Sequence, residues 1–113
     1  MRKHTFVGIE SQEKLLNKLK VRFQELYESS FDKILVYGSY ARGEATNNSD
    51  VDLLTVLKDE INPYKEIDRT GEIIAQYSLE NNVVISCHFI SSEKFHQQNT
   101  PFLANVKREG IVI

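Results

Sequence analysis

With 113 residues, 41% of them hydrophobic and 27% charged, the chain has the size and balance of one globular domain that buries a single core between two layers. Such a composition excludes a disordered polymer, and a formal charge of -2 supplies no global cationic field to gather a long nucleic acid. The lone cysteine, Cys87, excludes an internal disulfide and leaves no Cys/His cluster for zinc.

The first ten residues lack the apolar run of roughly 7 to 15 that a secretory leader needs, and no stretch approaches the roughly 20 apolar residues of a bilayer span. A cytoplasmic protein without a membrane partner, folded as one domain over residues 1–113, is the expectation. From Ser11, read as an N-cap, Leu16, Leu19, Phe23 and Leu26 recur at helical spacing. Lys14, Lys18, Lys20 and Arg22 alternate there with Glu13, Glu25 and Glu28, the mixture of a solvated face rather than a nucleic-acid stripe. Ser29 and Ser30 end this helix. Residues 33–37 form a short apolar run that stops at Gly38-Ser39, and residues 51–57 form a second, almost continuously apolar one.

Asn62-Pro63 reads as a cap and first helical position, opening a helix in which Tyr64, Ile67, Ile74 and Tyr77 share a face. Gly71 inside it costs about 1 kcal/mol relative to Ala. Asn81-Asn82 closes it, a third strand covers residues 83–90, and Thr100-Pro101 opens a last helix ending before Gly110. The predicted class is α/β (α+β), a mixed sheet flanked by helices, because the connection after Tyr37 is short and favours an antiparallel neighbour. The strand order is left open.

Chemistry concentrates between Gly38 and Asp52. A strand that runs into Gly-Ser and a helical turn presents backbone N–H groups to an anion, with Gly38 permitting close approach and the Ser39 hydroxyl adding a donor. Asp50 and Asp52, two apart at the head of the next strand, project from one face, and two carboxylates so placed suit magnesium, or manganese, shared with substrate phosphates. Arg42, three residues past Ser39, is placed to lean toward a phosphate or to stand in solvent. Each residue alone has an ordinary reading: Ser39 a cap, Gly38 a turn, Asn47 to Asp50 a polar turn. The combined spacing arises by chance in on the order of one chain per thousand of this length at average residue frequencies.

Gly38-Ser39, ten residues, then Asp50-Val51-Asp52 resembles the signature of the DNA polymerase beta-like nucleotidyltransferase superfamily, most of all its minimal nucleotidyltransferase branch. The tail from Asn105 to Gly110 also resembles the end of small bacterial members. The resemblance implies a mixed sheet with flanking helices, a nucleoside triphosphate held by Gly38 and Ser39, and a magnesium or manganese ion held by Asp50 and Asp52 as catalytic and metal residues. It also implies a third carboxylate on a later strand, which this chain lacks: residues 83–90 carry Ser86, Cys87 and His88 but no Asp or Glu. Glu66, Asp68 and Glu80 are not directed to the site by their spacing; His88 could accept a proton, although a strand histidine is usually structural.

Three functions are compatible with the motif. One is an enzyme that transfers a nucleoside monophosphate to an acceptor hydroxyl, weak on its own because the third carboxylate is missing. Another is an antitoxin-like module bound to a HEPN-type helical partner, as the resemblance implies, and the third is a catalytically degenerate nucleotide-binding domain. A chain this short has little surface left to position an acceptor, so a partner protein or second subunit is expected to deliver it.

Overall fold

The computed structural model describes residues 7–113, so part of the N-terminal stretch weighed as a leader lies outside the described residues. A 3₁₀ turn at Ile9–Gln12 leads into α1 (Glu13–Tyr27), followed by β1 (Phe31–Tyr37), the single turn α2 (Ser39–Arg42) and β2 (Val51–Leu57). Then come α3 (Pro63–Asn81), β3 (Ile85–Ser91), α4 (Ser92–Gln97), α5 (Pro101–Glu109) and the short β4 (Ile111–Val112). Among the described residues no helix is long and apolar enough to cross a membrane.

The strands form one four-stranded sheet in the order β3-β2-β1-β4. β1 runs antiparallel to β2 and to β4, whereas β2 and β3 are parallel and α3 makes the crossover between them. The sheet is therefore mixed, as expected from the short connection after Tyr37.

Alternate residues of the same strands build two different cores, because side chains in a strand point to opposite faces. Toward α1 and α3 face Ile34, Val36, Leu53, Ile85 and Phe89, packed against Leu16, Leu19, Phe23 and Tyr27, with Ile73, Ile74 and Tyr77 half-buried at the edge. Toward α4 and α5 face Leu35, Leu54 and Val56, packed against Phe95, Leu103 and Val106. Burial of β2 on both faces explains its nearly continuous apolar sequence.

Several local expectations are corrected. Ser11 is not the N-cap of α1: it lies in the 3₁₀ turn, where its hydroxyl donates to the Gly8 carbonyl at 2.8 Å. The buried stripe of α1 ends on Tyr27 rather than Leu26, which is 37% exposed. Tyr64 and Ile67 point outward, Tyr64 at 80% exposure, because α3 turns Glu66 and Thr70 inward at its start. Glu66 accepts the Tyr27 hydroxyl hydrogen at 2.9 Å, a buried polar bond that a search for apolar periodicity does not detect. The caps at Asn62 and Thr100 are as read: Asn62 Oδ1 accepts from Tyr64 N–H at 3.1 Å and Thr100 Oγ1 from Leu103 N–H at 3.2 Å.

Candidate functional site

β1 ends at Tyr37, and Gly38 then turns the chain with φ of 75°, a left-handed conformation that favours glycine. A side chain at Gly38 would have no room either, since a Cβ there would lie 2.5 Å from Asp52 Oδ2. Gly38 thus brings the backbone of the turn directly onto the Asp52 carboxylate. α2 follows at once and closes on Gly43, also at positive φ, with Arg42 N–H donating to the Gly38 carbonyl at 3.2 Å. The N–H groups that open such a turn have no partners within it, so Ser39 and its neighbours are free to offer theirs to an anion.

The acidic pair comes from the other side. Thr46 and Ser49 close the polar turn around Asn47 and Asn48, the Thr46 N–H donating to Ser49 Oγ at 2.9 Å. Asp50 stands exposed one residue before β2, rather than within it. Asp52 is half-buried and sits in register with Tyr37 on β1 and Ser86 on β3. Burial first, and then the Asp50 charge, hold the Asp52 carboxyl above the ordinary carboxylate range, while His88 and Arg42 draw it partly back. Tyr37 is pushed up to about 12, by burial and next by the Asp52 charge. The pair is electrostatically coupled, the Asp50 charge acting on Asp52. Its hard oxygen donors, adjacent to free N–H groups, fit a divalent cation shared with phosphates. Among the described residues no group of three or more His, Cys, Asp or Glu is arranged to hold a metal, so any ion here would depend on this pair and its substrate.

The structure thus brings Gly38, Ser39, Asp50 and Asp52 to one end of the sheet. Arg42 is there too but engaged: its Nε donates to Glu44 at 3.0 Å and its NH1 to Glu109 Oε2 at 2.9 Å. Glu109 is the residue that sequence reasoning missed. From the end of α5 its Oε1 accepts the Gly38 N–H at 3.1 Å, and Arg42 holds its carboxyl below the ordinary range. The tail resemblance drew attention to that segment but gave no sign that Glu109 reaches Gly38 across 71 residues.

β3 brings no carboxylate to the site face. Its positions on that face are Ser86, His88 and Ile90, in register with Asp52, Leu54 and Val56. Exposed His88 meets the Phe102 ring edge-on at 6.0 Å, and Phe102 meets Tyr37 at 5.4 Å. Beside them runs a groove of about 410 Å³ lined by Leu54, His88, Ile90, Thr100 and Phe102. Glu66 is bound to Tyr27 and Glu80 to Gln76, so neither substitutes for the absent acid. Cys87 points to the opposite face, near Thr55 Oγ1 at 3.5 Å, and burial pushes its thiol up to about 12, so it stays an inert thiol.

A mixed sheet that sets a glycine-serine turn against an Asp-x-Asp strand defines a transferase domain of the nucleotidyltransferase class. Residues 12–112 match the family model described as nucleotidyltransferase domain, and the chain belongs to that family. A candidate protein adenylyltransferase of Methanocaldococcus jannaschii is 28% identical over 103 residues, which is 91% of this chain and 98% of that protein. The fold is shared with a solved candidate minimal nucleotidyltransferase, with a TM-score of 0.55 and 22% identity over 89% of this chain and 94% of the other. It is shared also with a toxin–antitoxin crystal structure containing AMP-PNP, with a TM-score of 0.58 and 15% identity over 84% of this chain and 69% of that one.

Proposed function

We propose that the chain binds a nucleoside triphosphate at Gly38 and Ser39, with magnesium or manganese at Asp50 and Asp52, and transfers the nucleoside monophosphate to a hydroxyl group on a partner protein. The observation that carries this reading is the approach of Gly38 to Asp52, which leaves no space for a side chain between phosphate cradle and carboxylate. The cation would neutralise phosphate charge and stabilise the developing charge on the attacking and leaving oxygens.

In the reaction the acceptor oxygen forms a bond to the α-phosphorus, the bond from that phosphorus to the bridging oxygen breaks to release pyrophosphate, and the hydroxyl proton passes to solvent water. Gly38 and Ser39 hold the departing phosphates on the β1 side, so an in-line attack arrives from the β3 side, across Ser86 and His88. His88 is the titratable side chain of that strand on the site face, and with no carboxylate there the isolated chain is a slow catalyst. General base catalysis typically contributes about 10² to 10⁴ in rate. The protein acceptor is supported by the M. jannaschii relative, a candidate protein adenylyltransferase, and pairing with a toxin protein by the toxin–antitoxin neighbour.

The test is transfer of label from α-labelled ATP and the other triphosphates onto proteins that co-purify from the native host, with wild type, Asp50→Asn and Asp52→Asn. Metal-dependent labelling of one partner by the wild type alone supports the reading. Equal labelling by the Asp52→Asn chain, or by any chain in EDTA, rejects it.

A further inference from the structure

α2 is a single turn of four residues, too short to hold its shape by its own hydrogen bonds, yet the cradle depends on its geometry. What spans it is Glu109. One carboxylate oxygen accepts from the Gly38 N–H, immediately before the turn, and the other accepts from Arg42, its last residue. A single side chain therefore ties both ends of the turn together.

Glu109 is itself held from two directions. Leu103 and Val106 seat α5 in the core under the site face. Past Glu109 the chain turns at Gly110, where a Cβ would press on the Val106 carbonyl and Leu35, and β4 then pairs Ile111 with Val36 and Val112 with Leu35. The carboxylate is thus delivered from the end of α5, just ahead of a strand whose Ile111 pairs with Val36, two residues before Gly38. Arg42 offsets its charge, so the contact does not place a bare anion beside a triphosphate. The Gly38 N–H serves as the handle, leaving the N–H groups of α2 for the ligand.

We propose that Glu109 is the positioning residue of the phosphate cradle: its carboxylate fixes Gly38 and Arg42 relative to each other before the nucleotide arrives and stays in place when it binds. This rests on the nucleotide-binding reading above. A preorganised turn binds without first ordering itself, so losing the brace weakens binding rather than unfolding the protein.

The test is titration of MgATP into wild type, Glu109→Gln, Glu109→Ala, Arg42→Ala and the double variant Arg42→Ala/Glu109→Ala, with thermal unfolding of each. Losing a charge-assisted hydrogen bond predicts about tenfold or weaker MgATP affinity for Glu109→Ala. Glu109→Gln, which keeps an acceptor for Gly38, should be intermediate, and the double variant no worse than the worse single one. Should Glu109→Ala fail to fold, the nearly isosteric Glu109→Gln carries the test. Unchanged affinity in a folded variant overturns the proposal, and so does tighter affinity, which would make the carboxylate a competitor of the phosphates. If the wild type shows no metal-dependent MgATP binding, the nucleotide-binding reading fails and takes the brace with it. If the wild type binds and the Glu109 variants bind as tightly, the brace alone fails.

Discussion

On the face of the sheet under α1 and α3, every inward strand position is apolar or has its polar atom matched. Phe23 stacks on Phe89 with centroids 6.1 Å apart, and buried Thr55 meets the Cys87 sulfur. On the opposite face the same strands place Leu35, Leu54 and Val56 under α4 and α5, and then, one pair further toward the end, Tyr37, Asp52 and Ser86. There the cover ends, and a carboxylate stands half-buried with its pKa raised. The first face is organised for stability and the second gives some of it up at its rim, the usual place for a ligand site. Period-2 alternation lets β1 and β2 serve both purposes at once.

Truncating the closed face should therefore have the largest effect on stability. Phe23→Ala removes a fully buried ring that contacts both Tyr27 and Phe89, and is expected to cost about 3 to 5 kcal/mol in urea or thermal unfolding. MgATP affinity of the folded fraction should not change. A loss of affinity at temperatures where the variant is still folded would break the division between the faces.

Gly38→Val tests the rim. Strain at φ of 75° is worth about 1 to 3 kcal/mol, and the new side chain must also displace Asp52, so both the cradle and the acidic pair are disturbed. Sequence reading alone expects this substitution to act by blocking phosphate approach. The structure adds that it acts first on the carboxylate. Complete loss of MgATP binding with a modest fall in melting temperature is the expected result. Retained binding would mean that Gly38 is only a turn residue.

The candidate site was more legible than the contact Glu109 makes with it. Gly38, Ser39, Asp50 and Asp52 lie within 15 residues, close enough for a spacing argument to find them together. Glu109 joins them only because α5 packs and β4 pairs with β1, and a two-residue strand leaves no pattern to read. The six-residue α4, capped by Ser91, was missed for a similar reason. In α1, Leu26 and Tyr27 both satisfy helical spacing from Phe23, and only the packing of Tyr27 on Phe89 and its bond to Glu66 selects the second. The absence of an acid on β3 was readable, since every residue of that strand was in view.

That Tyr27 bond supports a third, smaller prediction within the closed face. Burial and then the Glu66 bond push the Tyr27 hydroxyl well above its ordinary range, so it remains a donor at neutral pH. Tyr27→Phe keeps the ring and removes only that donor from a buried carboxylate, which is expected to cost about 1 to 3 kcal/mol. A loss well below about 1 kcal/mol would show that Glu66 finds its compensation elsewhere, with Arg69 within 3.6 Å.

The smallest expected effect is one of opposite sign. Burial and the neighbouring Asp50 raise the Asp52 pKa above that of an unfolded aspartate. A raised acid binds its proton more readily when folded, so its stabilising contribution is complete below the ordinary carboxylate range and is lost as pH rises through the folded value. Without a metal, ionised Asp52 at neutral pH therefore opposes folding. Asp52→Asn, which has no such charge, should melt slightly higher than wild type in EDTA at pH 7. The gap should close as the pH is lowered and Asp52 takes up its proton. Adding magnesium and ATP should reverse the ranking, because ligand binding stabilises only the chain that retains the site. A lower melting temperature for Asp52→Asn in EDTA would instead show that Arg42 and His88 more than repay the charge, and the rim would then belong with the stable face.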